Sequence, residues 1–136
     1  MFEILEHTAD IGFRARASTL PQLFESAAEA LVAIAMETEN IEARESYRLA
    51  AEGDSEEALL VNWLSEVLYY IDGEHLAPRL FKVLELGSHR VRAEARGERR
   101  DPARHRAKLV VKGVTYHQLK IERNEQGWCC EVYLDI

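Results

Sequence analysis

The residues best suited to chemistry stand at the two ends of the sequence. His7 and Asp10 lie three residues apart near the start, and Asp135 precedes the final residue, Ile136. Carboxylate oxygens are the ligands that Ca²⁺ and Mg²⁺ prefer, whereas zinc usually takes thiolates or several imidazoles. These residues could form one divalent-metal site, but only if the fold brings the two ends together. In the alternative interpretation, Asp10 or Thr8 only satisfies backbone N–H groups of a local turn.

Support for other kinds of catalytic site is weaker. The segment from Lys112 to His117 combines a cation, a hydroxyl, a phenol and an imidazole around a glycine, but we expect each group to be a structural hydrogen bonder rather than a catalytic group. Neither Cys129 nor Cys130 has the sequence context of a reactive thiol, and no serine lies in a Gly-x-Ser-x-Gly motif. The glycines are scattered singly, so no phosphate-binding loop is predicted.

Length and composition predict one folded domain over residues 1–136. Hydrophobic residues make up 47% of the chain and charged residues 30%, which is typical of a globular protein. Adjacent residues of a strand point to opposite faces, so the two neighbouring cysteines are badly placed to pair with each other. Reduced thiols and the absence of a leader or an apolar run of membrane length predict a cytoplasmic protein.

The charge pattern predicts little nucleic-acid binding by the chain alone. The net charge is −7, so the average field repels phosphate backbones. Basic residues nevertheless cluster between positions 90 and 112. This stretch either contacts a phosphate or an acidic partner, or it is a solvated surface of strands and loops. Its members are Arg90, Arg92, Arg96, Arg99, Arg100, Arg104, His105, Arg106, Lys108 and Lys112.

Two stretches have the apolar spacing of amphipathic helices. The first follows a cap at Thr19, has Pro21 in its first turn and extends to about residue 35. The second follows a cap at Asp54 or Ser55 and has its apolar stripe over 59–71. Trp63 lies within that stripe, and we expect it to be a core residue rather than a ligand-stacking one.

The rest of the sequence is typical of strands and turns. Alternation or short apolar runs predict strands, and Gly97 to Ala107 is predicted as a polar loop that serves a function or moves. Together these elements predict an α+β domain in which two amphipathic helices pack on mostly antiparallel β-sheet. The final strand would place Asp135 on its polar side. The strands are predicted at 2–5, 11–17, 47–51, 81–86, 91–96, 109–111, 117–122 and 128–134.

Five segments in this order and spacing resemble the archease family. They are HTADIG at 7–12, LFESAA at 23–28, LLVNWLSEVLYYID at 59–72, VKGVTYHQL at 111–119 and the terminal LDI. Together they extend from near the first residue to the last. The fold that the resemblance implies is related to a strand-helix-strand-strand module.

The resemblance implies an accessory protein rather than an enzyme. Archease assists the RtcB-type RNA ligase of tRNA splicing and RNA repair by promoting guanylylation of the ligase histidine and multiple turnover. The family's metal ligands correspond to Asp10, Asp135 and Ile136, with Ca²⁺ or Mg²⁺ as the implied ion. The family's lysine corresponds to Lys112, which is expected to contact the ligase or the nucleotide. His7 belongs to the same motif, as a support of the metal ligands or as part of the loop structure.

Two other functions remain open at this point. The first is an independent metal-dependent hydrolase that uses Asp10 and Asp135, with His7 or His117 as a base. The second is a chaperone-like modulatory binding module that acts through its acidic surface.

Overall fold

A computed structural model describes residues 1–6 and 10–136 of the protein. Eight strands and two helices are present in this part of the chain. In chain order they are β1 (Phe2–Glu6), β2 (Asp10–Ala17), α1 (Leu20–Ala35), β3 (Glu45–Glu52), α2 (Glu56–Asp72), β4 (Leu76–Leu86), β5 (Arg90–Arg99), β6 (Gly113–Val114), β7 (Lys120–Asn124) and β8 (Gly127–Asp135).

The strands form two antiparallel sheets. In the five-stranded sheet β1 pairs with β2, β2 pairs with β8, and both β6 and β7 pair with the other side of β8. The three-stranded sheet has the order β3-β5-β4. The predicted α+β architecture is therefore confirmed, and β8 is the strand on which the larger sheet is built.

Both helices begin at the predicted caps. The hydroxyl of Thr19 accepts the backbone N–H of Gln22 at 3.3 Å, and the hydroxyl of Ser55 accepts that of Ala58 at 3.1 Å. Each bond satisfies a donor that the first helical turn leaves without a partner.

The hydrophobic core lies where the helices contact the sheets. Helix α1 contacts strands of both sheets, and so does α2. Trp63 of α2 is completely buried, donates its indole N–H to the carbonyl of Phe24 at 2.9 Å, and packs against the rings of Phe24 and Phe81. The prediction that Trp63 is a core residue is confirmed.

The predicted strand at 109–111 is wrong. The backbone N–H groups of Lys108 and Leu109 donate to the carbonyls of Ala35 and Ile34 at 2.9 and 3.3 Å, at the C-terminus of α1. Because a helix leaves its last carbonyls without partners, this segment satisfies the helix end instead of a neighbouring strand.

The predicted strand at 117–122 begins late. A tight turn occupies its first residues: the N–H of Leu119 donates to the carbonyl of Tyr116 at 3.2 Å, and Gln118 has a φ of 52°. Pairing with β8 therefore starts only at Lys120, where β7 begins.

The two cysteines are free thiols, as predicted. Cys130 is buried, and burial raises the pKa of its thiol to about 12, so the thiolate needed for nucleophilic chemistry is strongly disfavoured. In the described part of the chain, no helix combines the length and the apolar character needed to cross a membrane.

Candidate metal centre

The fold brings the two predicted acidic clusters together. Asp10 is the first residue of β2 and Asp135 the last residue of β8, and the antiparallel register places them directly opposite each other. Side chains opposite each other in such a pair share one face, with Cβ atoms about 4.5 to 5.5 Å apart. This spacing is short enough for both carboxylates to reach one ion, whose oxygen ligands lie at about 2.3 to 2.6 Å when it is Ca²⁺.

The neighbouring residues fix the face on which the acidic pair lies. Ile11 and Leu134 also oppose each other in the register, and both are buried in the core. Because side chains alternate along a strand, Asp10 and Asp135 point away from the core. Asp135 is exposed and Asp10 is half-buried.

The electrostatics of the acidic pair favour a bound cation. Within residues 1–6 and 10–136, neither carboxylate has a hydrogen bond or an ion pair. Like charges directly opposite each other on a sheet are destabilising. A divalent cation between Asp10 and Asp135 would remove this repulsion.

Other charges on the same face are already paired. Arg14 bonds to Glu3 at 2.6 Å and to Glu131 at 3.0 Å, and Lys120 lies 4.0 Å from Glu131. The hydrogen bond from Arg14 holds the pKa of Glu3 below its ordinary value. The acidic pair therefore differs from Glu3 and Glu131 in lacking a cationic partner among the described residues.

The donor set fits an oxygen-seeking ion. Among the described residues, no group of three or more His, Cys, Asp or Glu side chains is placed to hold a metal ion, either at this site or elsewhere. Two carboxylates would need further oxygens from water, from the main chain or from Ile136, which directly follows Asp135 and is 39% exposed. Mg²⁺ and Ca²⁺ accept such mixed sets, whereas structural zinc does not. His7 and Thr8 lie outside the described residues.

Lys112 is positioned next to the acidic pair. Its backbone N–H donates to the carbonyl of Asp135 at 2.8 Å, and Gly113 pairs with Asp135 in β6. The ammonium group of Lys112 is exposed and has no bond within the described ranges. The main chain of Lys112 thus lies beside Asp135, and its side chain has no partner among the described residues that would keep it from an anionic group of another molecule.

Hydrogen bonds and ring packing hold the segment that follows Lys112. The hydroxyl and the backbone N–H of Thr115 each donate to the carbonyl of Tyr133 at 3.1 Å. The ring of His117 packs edge-on against the ring of Tyr133, with centroids 6.2 Å apart. Tyr133 in turn lies over Gly12, its opposite residue in the register. The structure therefore brings His117 to the face of the acidic pair, in contact with an aromatic ring.

A second polar cluster was missed in the sequence. Glu98 and His105 are buried, and Nε2 of His105 lies 2.9 Å from Glu98. Nδ1 of His105 accepts the N–H of Asp101 at 2.9 Å, so Nε2 carries the proton and donates to the carboxylate. Hydrogen bonds from Arg104, and then from the N–H of Glu42, lower the pKa of Glu98 to about 2.

This cluster anchors the segment predicted as a loop. Strand β5 continues to Arg99, and the guanidinium of Arg100 donates to the carbonyl of His105 at 3.0 Å. The sequence signal was a single glutamate between arginines, followed by a histidine seven residues later. The same pattern is typical of a solvated surface, so it does not by itself predict burial.

Comparisons with known proteins assign this chain to a family. The sequence model of the Archease protein family matches residues 2–136. The chain belongs to the archease family. Protein archease of Pyrococcus furiosus is 40% identical, with 99% of this chain and 98% of the relative covered. Protein archease of Methanosarcina acetivorans is 36% identical, with 99% and 95% covered.

Solved structures of similar proteins share the archease fold. The solution structure of protein 1598 from Methanobacterium thermoautotrophicum has a TM-score of 0.84 at 30% identity, and 99% of this chain and 98% of that chain are covered. The crystal structure of a Thermotoga maritima protein, described as an archease and possible chaperone, has a TM-score of 0.68 at 21% identity, with 97% and 94% covered. The second likeness concerns the fold alone.

Proposed function

We propose that this archease is an accessory activator of an RtcB-type RNA ligase. It would promote guanylylation of the ligase histidine and multiple turnover through a divalent-metal site, without being the catalyst. The observation that carries the proposal is the register of β2 and β8, which places Asp10 directly opposite Asp135. Membership of the archease family supports the choice of partner.

The mechanism that fits this geometry is electrostatic. Transfer of a nucleotidyl group is mainly a problem of positioning and of stabilising charge on phosphate oxygens. Asp10 and Asp135, with oxygens of Ile136, would hold the ion. A bound Ca²⁺ or Mg²⁺ would supply positive charge to the phosphate oxygens of the nucleotide. Lys112 would add a cation next to the carboxylates, where it can contact the nucleotide or the ligase.

The decisive experiment is single-turnover formation of the ligase–GMP adduct with and without this protein. We expect the wild-type protein to accelerate adduct formation, and Asp10→Ala and Asp135→Ala each to reduce the acceleration by about 100-fold. Glu122→Ala is the matched control, because Glu122 is an exposed acid of the same sheet with no ion pair within the described chain. Equal adduct formation and equal turnover with and without the wild-type protein would overturn the proposal.

Ion binding is tested separately by thermal denaturation. Mixing the wild-type protein with Ca²⁺ or Mg²⁺ should raise its Tm over the value in chelator, since a ligand that binds only the folded state stabilises it. Asp10→Asn should abolish the rise. In chelator this variant should be slightly more stable than the wild type, by about 0.2 to 1 kcal/mol, because one of two facing charges is gone.

The remaining functions make different predictions in the same assays. A chaperone-like module, the description given to the Thermotoga relative, predicts that both aspartate variants keep their function while circular dichroism shows them folded. A metal-dependent hydrolase predicts phosphate release from nucleotides by the purified protein alone, and its loss in Asp10→Ala.

A further inference from the structure

The three-stranded sheet has an outward face rich in arginine. Positions such as Val91, Ala93 and Ala95 of β5 are buried against the core, so the alternate positions point outward. The exposed basic side chains at outward positions are collectively called the arginine face. They are Arg48 of β3, Lys82 of β4, and Arg90, Arg92 and Arg96 of β5.

The strand register intersperses few acids among these bases. Across the sheet, Glu94 lies between Arg48 and Lys82, and Arg96 lies between Ser46 and Leu80. The two other exposed outward acids are Glu52 and Glu85. Glu98, the next outward position of β5, is buried and paired with Arg104 and His105. Five bases against three acids give this face a positive excess, in a chain whose net charge is −7. The net charge of the whole sequence does not reveal this local excess of basic side chains.

The basic groups of the arginine face are available to a partner. The side chains of Arg48 and Lys82 have no hydrogen bond or ion pair within the described residues. Arg96 makes one long bond, to the carbonyl of Ala43 at 3.3 Å. The pairs Arg90–Glu52 and Arg92–Glu85 are exposed, at 3.6 and 3.3 Å. Exposed pairs of this kind contribute little, so a stronger anion can replace the glutamates.

The composition of the face favours a polyanion over a protein surface. Protein interfaces are built around apolar and aromatic anchors, but the centre of this face carries arginine, glutamate and alanine, with Leu80 and Leu84 only at the β4 edge. Arg90 and Arg96 are six residues apart, a span of about 20 Å along β5. No outward position of β3, β4 or β5 carries an aromatic side chain, so these positions can contact phosphates but do not read bases.

We infer that the arginine face binds the phosphodiester backbone of single-stranded RNA, while the acidic pair on the other sheet engages the ligase. The choice of RNA as the polyanion rests on the proposed function. The two sites lie on different sheets and can therefore be altered independently.

The test is binding of a fluorescent single-stranded RNA, measured by anisotropy between about 20 and 200 mM KCl. The variant Arg48→Gln/Arg96→Gln removes two charges of the arginine face and little packing. The control Arg16→Gln/Arg123→Gln removes two charges from the five-stranded sheet. For single strands the slope of log K against log salt changes by about 0.7 per phosphate contact.

We expect the slope to fall in magnitude by about 1.4 in the arginine-face variant and to match the wild type in the control. Adduct formation by the ligase without RNA should be unchanged in both. Equal slopes in the two variants, or no binding of RNA by the wild type at the lowest salt, would overturn the inference. So would a loss of affinity for the RNA-free ligase in the arginine-face variant, since the face would then dock protein. Failure of the proposed function alone would instead leave the RNA slopes as expected.

Discussion

The substitution Gly12→Ala adds one methyl group beside the acidic pair and so tests how tightly the side chains pack there. A Cβ atom there would lie 2.6 and 2.7 Å from Cε1 and Cδ1 of Tyr133. Carbon atoms in contact are about 3.5 to 4.0 Å apart, so the ring would have to shift by about 1 Å. Overpacking of this kind costs about 1 to 3 kcal/mol. Replacing glycine by alanine also restricts the unfolded chain, which returns about 0.4 to 1 kcal/mol.

The expected result for Gly12→Ala is a net destabilisation of about 1.3 kcal/mol from the middle of these two ranges, with an upper limit of about 2.6 kcal/mol, or a Tm lower by about 5 to 9 °C. Denaturant and thermal unfolding followed by circular dichroism measure both quantities. Gly113→Ala is a control in the same site, because a Cβ at Gly113 has no atom within 4 Å, and it should show only the gain of about 0.4 to 1 kcal/mol from the restricted unfolded chain.

A double substitution decides whether the ring is the cause. In a Tyr133→Leu background, Gly12→Ala should become neutral or slightly stabilising, since the clashing atoms are gone. The reasoning is refuted if Gly12→Ala is as stable as Gly113→Ala, or if its cost is the same with and without the tyrosine ring.

Two further predictions concern stability. A carboxylate whose pKa is lowered by folding stabilises the protein above its ordinary pKa of 4.5, and this contribution is lost as the pH falls towards the folded value of about 2. When the pH falls from about 5 to 2, the Tm of Glu98→Gln should therefore decrease less than that of the wild type. The control Glu122→Gln should follow the wild type. Identical profiles of Tm against pH for all three proteins would contradict the prediction. Ser55→Ala removes the cap of α2 and should cost about 1 kcal/mol in chemical unfolding, while Ser88→Ala in an exposed turn should cost nothing measurable; equal values would show that the cap does not stabilise α2.

The helices and most strands could be predicted because their signals are local. Thr19 and Ser55 cap helices through bonds to residues three positions away, and the apolar stripe around Trp63 has helical spacing. The run from Leu109 to Val111 is equally apolar, but its role is decided by the end of α1, far away in sequence. No local pattern contains that information.

In the candidate site, too, the local features could be predicted and the long-range contacts could not. Ligand chemistry identified Asp10 and Asp135, but their meeting depends on the pairing of β2 with β8, and only resemblance to a family indicated it in advance. The burial of Glu98 and His105 could not be predicted, because a polar segment becomes a core element only when its partners surround it.

The position of β8 in the larger sheet has a consequence for biosynthesis. Strand β2 leaves the ribosome well before the strand that pairs with it, β8, because two helices and five other strands lie between them in the chain. Contacts between such distant segments form late, since closing a long loop costs entropy before the contacts can contribute any stabilising free energy. Asp10 and Asp135 thus become neighbours only after β8 has been made and has paired with β2. A nascent or incompletely folded chain presents two separate acids, and the ability to hold an ion reports that folding is complete.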